Sequence, residues 1–372
     1  MKSRSIRRDF EHTNFEEVRA RIVWNAISEP GDRMAGQIIR EYGSAEALKI
    51  FRDPAGFSSE YVSALERWSS RYSQNLADTR IDLAKKHDLK LLVPTDEIWP
   101  KRLSDLGEHS PLLIWYRGAA EKFGELEKSI SIVGSRNATH YGQRVTSDLV
   151  KTLTEERATI VSGGALGIDA VAHRATLALG GTTVAIMAGS LENPYPAANL
   201  ELFEKIAHTG LVLSEMSPGS KPTRWRFLQR NRLIAALSET LVVTEAGWRS
   251  GSINSVNHAT DLGRPVFAIP GPISSPASAG CNRLIRDGQA NLLLDVEDLP
   301  AELSWRDTEE KLQESLGSLE LRVLDVLHGR ETSINSLQTQ SGLALHELKI
   351  ALGSLSILGL ATQGKTGWKS AN

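Results

Sequence analysis

Cysteine is nearly missing from this chain: Cys281 is the single one among 372 residues. One thiol closes no internal disulfide and builds no cysteine-rich zinc site, so a reducing compartment, the cytoplasm, is the expectation. Long apolar runs are missing too. None reaches the roughly 18 residues that a helical membrane span requires. The start, Met1 to Phe10, is basic but lacks the apolar stretch of a secretory signal, so a membrane partner is not expected. An excess of one charge is also lacking, since 43 Lys and Arg face 45 Asp and Glu for a formal net charge of −2. The global field therefore does not draw polyanions, and any nucleic-acid surface must come from cations clustered on one face.

Several catalytic signatures are absent as well. No G-x-G-x-x-G occurs, and no G-x-x-x-x-G-K-[ST], which leaves neither a dinucleotide fingerprint nor an ATPase loop. His140, His173 and His258 are scattered without metal-ligand spacing. No Ser-His-Asp order with a nucleophile elbow appears. The expectation is a protein with no cofactor, no metal and no catalytic residue. Cys281 precedes Asn282-Arg283-Leu284 at a helix start, where a dipole lowers a thiol pKa, but with no base nearby in sequence a structural role is the better assignment.

What is present falls into zones. From about Asn14 to Leu83 the pattern is helical, with Pro30-Gly31 and Gly43-Ser44 as breaks; the small helical pairs look like helix-hairpin-helix elements. From about Lys90 to Asp295, apolar runs alternate with helical patterns. The runs are Ile130–Val133, Thr159–Val161, Thr183–Met187, Leu211–Leu213, Leu241–Val243, Val266–Ile269 and Leu292–Leu294. Such alternation predicts βαβ units in a mainly parallel sheet covered on both faces, and hence a Rossmann-like doubly wound α/β fold. Beyond Asp295 acids crowd together, among them Asp307, Glu309, Glu310 and Glu314. The last stretch regains helical periodicity and ends in a short hairpin, which suggests a winged-helix module. The organisation expected is a helical domain over 1–86, the α/β domain over 87–297, an acidic linker over 298–317 and the winged-helix domain over 318–372.

In an open parallel sheet, ligands bind outside the carboxyl ends of the strands, and the loops there carry the chemistry. Val133-Gly134-Ser135-Arg136 has small residues that bring backbone N–H groups close to a phosphate, plus a cation; a tight turn with a surface arginine is the competing reading. Ser162-Gly163-Gly164-Ala165-Leu166-Gly167 is a second anion-ready turn, followed by Asp169, which is assigned to the helix start rather than to acid catalysis. The segment from Lys221 to Arg232 reads as a third loop. It carries five cations and no acid, with Trp225 and Phe227 interleaved. Cations follow phosphates and aromatic faces stack unpaired bases, which is the recipe for single strands. The alternative is a solvated helix face with both aromatics in the core. In the fourth loop, Thr244 to Ser252, Ser250 and Ser252 suit a helix cap or a phosphate contact, and Glu245 suits loop orientation at least as well as a general base.

Several blocks occur in order between residue 130 and about 290: Ile132-Val133-Gly134-Ser135-Arg136, Ser162-Gly163-Gly164-Ala165-Leu166-Gly167-Ile168-Asp169, Tyr195-Pro196, Arg230-Asn231-Arg232-Leu233-Ile234, Arg249-Ser250-Gly251-Ser252, Phe267-Ala268-Ile269-Pro270-Gly271 and Asn282-Arg283-Leu284-Ile285. With them, the chain resembles the DNA-processing protein A (DprA, also called Smf) family. The resemblance implies a mediator that coats incoming single-stranded DNA, forms a homodimer and loads the RecA recombinase during natural transformation. It also implies a positively charged pocket that accepts a flipped base, without catalysis. Carried residue by residue, the family's Gly-Ser-Arg falls on Gly134, Ser135 and Arg136, and its basic and aromatic pocket residues on Arg224 and Phe227. The candidate DNA-binding residues are thus Gly134, Ser135, Arg136, Gly163, Gly164, Lys221, Arg224, Arg226, Phe227, Arg230, Asn231, Arg232, Ser250 and Ser252, with Phe227 rather than Trp225 under the base.

Departures bear on this reading. Gly164 stands where the family usually has Leu, so a looser turn is expected. Cys281 replaces a usual Thr. Glu29-Pro30-Gly31-Asp32 stands where the family's hairpin reads Pro-Gly-Ile-Gly, and the charge of Asp32 argues against DNA contact there. Two rival functions are a Rossmann-like nucleotide hydrolase and a winged-helix DNA-binding regulator. The first needs a Gly-Gly-x-Gly-Thr loop with an acid pair, which is absent. The second has only Lys349, against Glu347, over Leu343–Leu358, so protein contact suits that module better.

Overall fold

Short runs of β-branched and aliphatic residues become the buried central strands. In a computed structural model, which describes residues 15–53, 61–305 and 316–371, the strands are β1 (Lys90–Leu92), β2 (Ile114–Gly118), β3 (Ser129–Gly134), β4 (Thr159–Ser162), β5 (Thr183–Met187), β6 (Leu211–Ser214), β7 (Thr240–Glu245), β8 (Val266–Ala268) and β9 (Asn291–Leu292). The described residues place them in one sheet of order β1-β2-β6-β5-β4-β3-β7-β8-β9. Neighbours from β6 to β9 run parallel, while β1 and β2 add an antiparallel edge. The architecture is α/β, a mixed sheet with flanking helices. The sequence reading did not include β1 and β2, because β1 has three residues and a short apolar run such as Leu113–Tyr116 cannot be told from buried helix by period alone.

Among the described residues five α-helices precede the sheet: α1 (Phe15–Ile27), α2 (Arg33–Tyr42), α3 (Ser44–Arg52), α4 (Val62–Ser69) and α5 (Leu76–Lys86). Pro30 and Gly31 turn the chain between α1 and α2, where Gly31 takes φ +67°. Asp32 then caps α2, accepting from the N–H groups of Met34 and Ala35, and also accepts from Trp68 Nε1 at 3.0 Å. Its carboxylate is engaged inside the fold. These helices share a core with one face of the sheet, where Trp24, Ile27 and Trp68 pack in one cluster with Leu113, Trp115 and Phe203.

The remaining helices of this unit are α6 (His140–Glu155), α7 (Ile168–Ala178), α8 (Leu200–Thr209), α9 (Arg224–Leu237), α10 (Ser252–Asp261) and α11 (Ala279–Arg286). The opposite core gathers Leu213, Ile234, Val243, Val256 and Leu284 from strands β6 and β7 and helices α9 to α11. One expectation is corrected: the segment 221–232 is loop only as far as Thr223, which caps α9 by accepting from the Arg226 N–H. A capping threonine followed by leucine- and alanine-rich sequence favours helix over the extended loop.

The chain divides into two compact units, residues 1–297 and 298–372. In the second, helices Ser318–Leu324, Ile334–Ser341 and Leu345–Ile357 precede an antiparallel pair, Ala361–Gln363 with Trp368–Ser370. Its core holds Val323, Leu337, Leu348, Leu352 and Leu355. Met1 to Phe10 and the acids Asp307, Glu309, Glu310 and Glu314 lie outside the described residues. No helix among the described residues is long and apolar enough to cross a membrane.

Candidate nucleic-acid pocket at the carboxyl edge of the sheet

Strand order reverses between β3 and β7. From β3 the chain crosses to β4 on one side, and from β7 to β8 on the other, so the loops leaving the two central strands diverge and open a crevice. A pocket of about 950 Å³ occupies it. Its walls are tied together by backbone. Ser135 N donates to Glu245 O at 2.7 Å, and Ile168 N donates to Ser135 O at 3.0 Å. The Glu245 carboxylate accepts from Thr139 N at 2.8 Å and Thr139 Oγ1 at 2.5 Å. Buried and doubly hydrogen-bonded, Glu245 orients the first loop, which caps α6 through Thr139.

Gly134, Ser135 and Arg136 line the pocket together with Arg224, Phe227, Arg230, Asn231, Ser250 and Ser252. Phe227 is half-buried there, edge-on to Tyr195 at 5.8 Å between centroids. The Arg136 guanidinium lies 5.3 Å from its ring centre and that of Arg230 5.9 Å. Trp225, by contrast, is 56 % exposed and outside the lining. An aromatic face bordered by cations suits a stacked base with its phosphate nearby.

Three arginines at the pocket, Arg136, Arg224 and Arg249, are exposed and have no carboxylate partner among the described residues. Arg224 sits in the first turn of α9, where no acid is present. A cation at the positive end of a helix dipole is unfavourable, and an anion arriving there relieves it. Arg230 is different. Its guanidinium is buried and donates to the carbonyls of Gly163 and Ile186. Burial pushes it down to about 10, with Asp169 opposing and Arg136 assisting that shift, so Arg230 remains a cation at neutral pH. Burial likewise raises the Asp169 carboxyl, and Arg230 and the Ala165 N–H oppose that. Asp169, in the first turn of α7, accepts from Ala165 N at 3.3 Å.

Other candidate residues are placed elsewhere. Gly163 and Gly164 lie beneath the pocket rather than in its lining. A Cβ on Gly163 would collide with the Arg230 guanidinium, and Gly164 takes φ +68° with Phe203 filling the space above it, so that turn is packed and not loose. Lys221 is exposed on the loop before α9, outside the lining. Arg226 and Arg232 point away: Arg226 pairs with Glu29 at 3.0 Å through two nitrogens, and Arg232 forms a buried bidentate pair with Glu215 at 2.7 Å. Both anchor α9 against the α1–α2 hairpin, because Gly31 N also donates to Glu215 at 3.3 Å and Asn25 to the Glu215 carbonyl at 2.6 Å.

The structure adds Tyr195 and Arg249 to the lining. Each follows a strand on the ligand edge of the sheet, a signal readable in the sequence once that edge is chosen. Cys281 is buried, and burial pushes its thiol up to about 12, so it is an inert packing residue. No cluster of three or more His, Cys, Asp or Glu able to hold a metal occurs among the described residues.

Known proteins resemble this chain over much of its length. The model of the family "DNA recombination-mediator protein A" matches residues 90–304. The putative DNA processing protein DprA of Mycobacterium tuberculosis (strain H37Rv) is 35% identical over 370 residues, covering 94% of each chain. DNA processing protein DprA of Bacillus subtilis is 36% identical over 211 residues, 57% of this chain and 69% of that one. Among solved structures, Streptococcus pneumoniae DprA superimposes with a TM-score of 0.63 at 31% identity, covering 77% of this chain and 97% of the other. Helicobacter pylori DNA processing protein A, described for its single-stranded DNA binding mode, gives 0.52 at 31% identity over 58% and 95%. With matched residues over more than half its length and a relative aligned nearly end to end, this chain belongs to the DNA recombination-mediator protein A family.

Proposed function

We propose that this protein binds single-stranded DNA in the pocket between the β3 and β7 loops and acts as a recombination mediator during DNA uptake. One observation carries the reading: the Phe227 ring lies in an open pocket beside Arg136, with Arg224 and Arg249 around it forming no ion pair among the described residues. Unpaired cations supply affinity for a phosphate backbone, and an accessible ring takes a base that duplex pairing would hide. The first unit is then a Rossmann-like DNA-binding domain and the second a winged-helix module that serves protein contact. Family membership supports a homodimer that loads RecA recombinase onto the bound strand in the cytoplasm.

The role is binding without catalysis. Asp169 is buried and held by the Ala165 N–H, Glu245 is consumed by Thr139, and the Cys281 thiol is suppressed by burial. Fluorescence anisotropy with matched single- and double-stranded oligonucleotides tests the proposal. Tighter binding of the single strand, lost in Phe227→Ala, is expected; equal affinity for both forms would overturn it.

A further inference from the structure

We propose that Trp248 and Arg283 form a second base-binding subsite on the pocket rim, which stacks the base of the nucleotide adjoining the one held at Phe227. The inference rests on the single-strand reading of the pocket and extends it along the strand.

Trp248 lies between Gly247 and Arg249, both of which line the pocket, yet its own indole stands outside that lining and is 53 % exposed. A lone exposed aromatic side chain is ordinary on a protein surface. Two features set this one apart. The Arg283 guanidinium, from α11, is centred 4.7 Å from the indole centroid, and among the described residues it makes no ion pair; the neighbouring Asp287 is taken by Arg286. A cation held over an aromatic face fixes the orientation of the ring, so little rotamer freedom remains to be lost when a base stacks on it.

The backbone under the indole is equally constrained. Ser250 N donates to Gly247 O at 3.0 Å, closing the turn that carries Trp248, and Gly280 N donates to Ala246 O at 2.7 Å, tying the start of α11 to the same turn. Gly280 admits this approach because a Cβ there would meet the carbonyls of Ala246 and Gly247. Platform and cation are therefore a preformed pair. Arg249, adjacent in sequence, exposed and without a carboxylate partner among the described residues, supplies the charge for the phosphate that links the two nucleotides. Trp225, the other exposed tryptophan near the pocket, has no such cation over its ring among the described residues.

Binding of labelled oligothymidylate to the full chain, against binding of thymidine monophosphate, tests the subsite. Stacking of one base is worth about 1 kcal/mol or more, so Trp248→Ala should weaken the oligonucleotide by about fivefold or more. Trp248→Phe should recover most of that loss, and Arg283→Gln should also weaken oligonucleotide binding. Thymidine monophosphate, which fills only the Phe227 pocket, should bind Trp248→Ala as tightly as the parent. Unchanged oligonucleotide affinity in Trp248→Ala, with Phe227→Ala weakened, would overturn the subsite and leave the pocket standing. If neither variant loses affinity, both readings fall. A monophosphate loss in Trp248→Ala equal to the oligonucleotide loss would also overturn it, since Trp248 would then support the pocket and hold no second base.

Discussion

Replacing Arg136 and Arg224 together by alanine should flatten the salt dependence of single-strand binding, and the size of the effect follows from the structure. Both side chains are exposed at the pocket and, among the described residues, neither forms an ion pair with a carboxylate that would compete with a phosphate. Each cation that neutralises a phosphate of a single strand adds about 0.7 to the slope of log affinity against log salt, so losing two should lower that slope by about 1.4. Between about 50 and 200 mM salt this amounts to roughly a sevenfold difference, with the deficit of the variant largest at low salt and narrowing as salt rises.

Folding does not confound the measurement. Arg136 loses its contact with Phe227, worth about 0.5–1 kcal/mol at an exposed site, and its electrostatic interactions with Arg230 and Asp169, which are opposite in sign. Removing Arg224 takes an unfavourable charge from the N-terminus of α9, an effect of similar size and opposite sign. Anisotropy titrations at several salt concentrations, with urea unfolding as control, measure the slope. An unchanged slope refutes the assignment of these two arginines to phosphates, whatever happens to affinity at a single salt concentration.

Other outcomes follow from the same contacts. Phe227→Ala should cost about 1–3 kcal/mol of single-strand binding while leaving the urea midpoint close to wild type, because the ring is half-buried at the pocket; a collapse of stability would make it a core residue. Glu215→Gln leaves Arg232 as an uncompensated buried cation and should destabilise the fold by about 3–5 kcal/mol, measured as a lower urea midpoint; a midpoint within error of wild type contradicts the anchoring role. His173 is buried against Thr183, and burial pushes its pKa from 6.5 down to about 3. The unfolded chain binds a proton in that window which the folded chain refuses, so stability falls as pH drops below about 6.5, by about 1.4 kcal/mol per pH unit. In His173→Gln that component should vanish, and an equally steep fall in urea unfolding between neutral and mildly acidic pH would show another group responsible.

Much of this protein is written locally in its residues. Short apolar runs alternating with helical stretches specify a parallel-rich sheet, since strands buried on both faces need continuous apolar sequence. The Gly134-Ser135-Arg136 and Ser250-Gly251-Ser252 turns can be read as ligand-edge loops because a turn at a strand end involves only neighbouring residues. The division of labour within the basic segment 221–232 cannot be read that way. As a charge run its cations are equivalent, but a helix turns successive side chains by about 100°. That rotation sends Arg224, Phe227 and Asn231 to the pocket and turns Arg226 and Arg232 away from it. Two carboxylates decide the rest. Glu29, 197 residues before Arg226, and Glu215, from the loop after β6, claim the two outward arginines, while Arg224 has no ion pair among the described residues. Only the tertiary fold brings those partners to α9, because ion pairing depends on distance in space and carries no trace in sequence spacing.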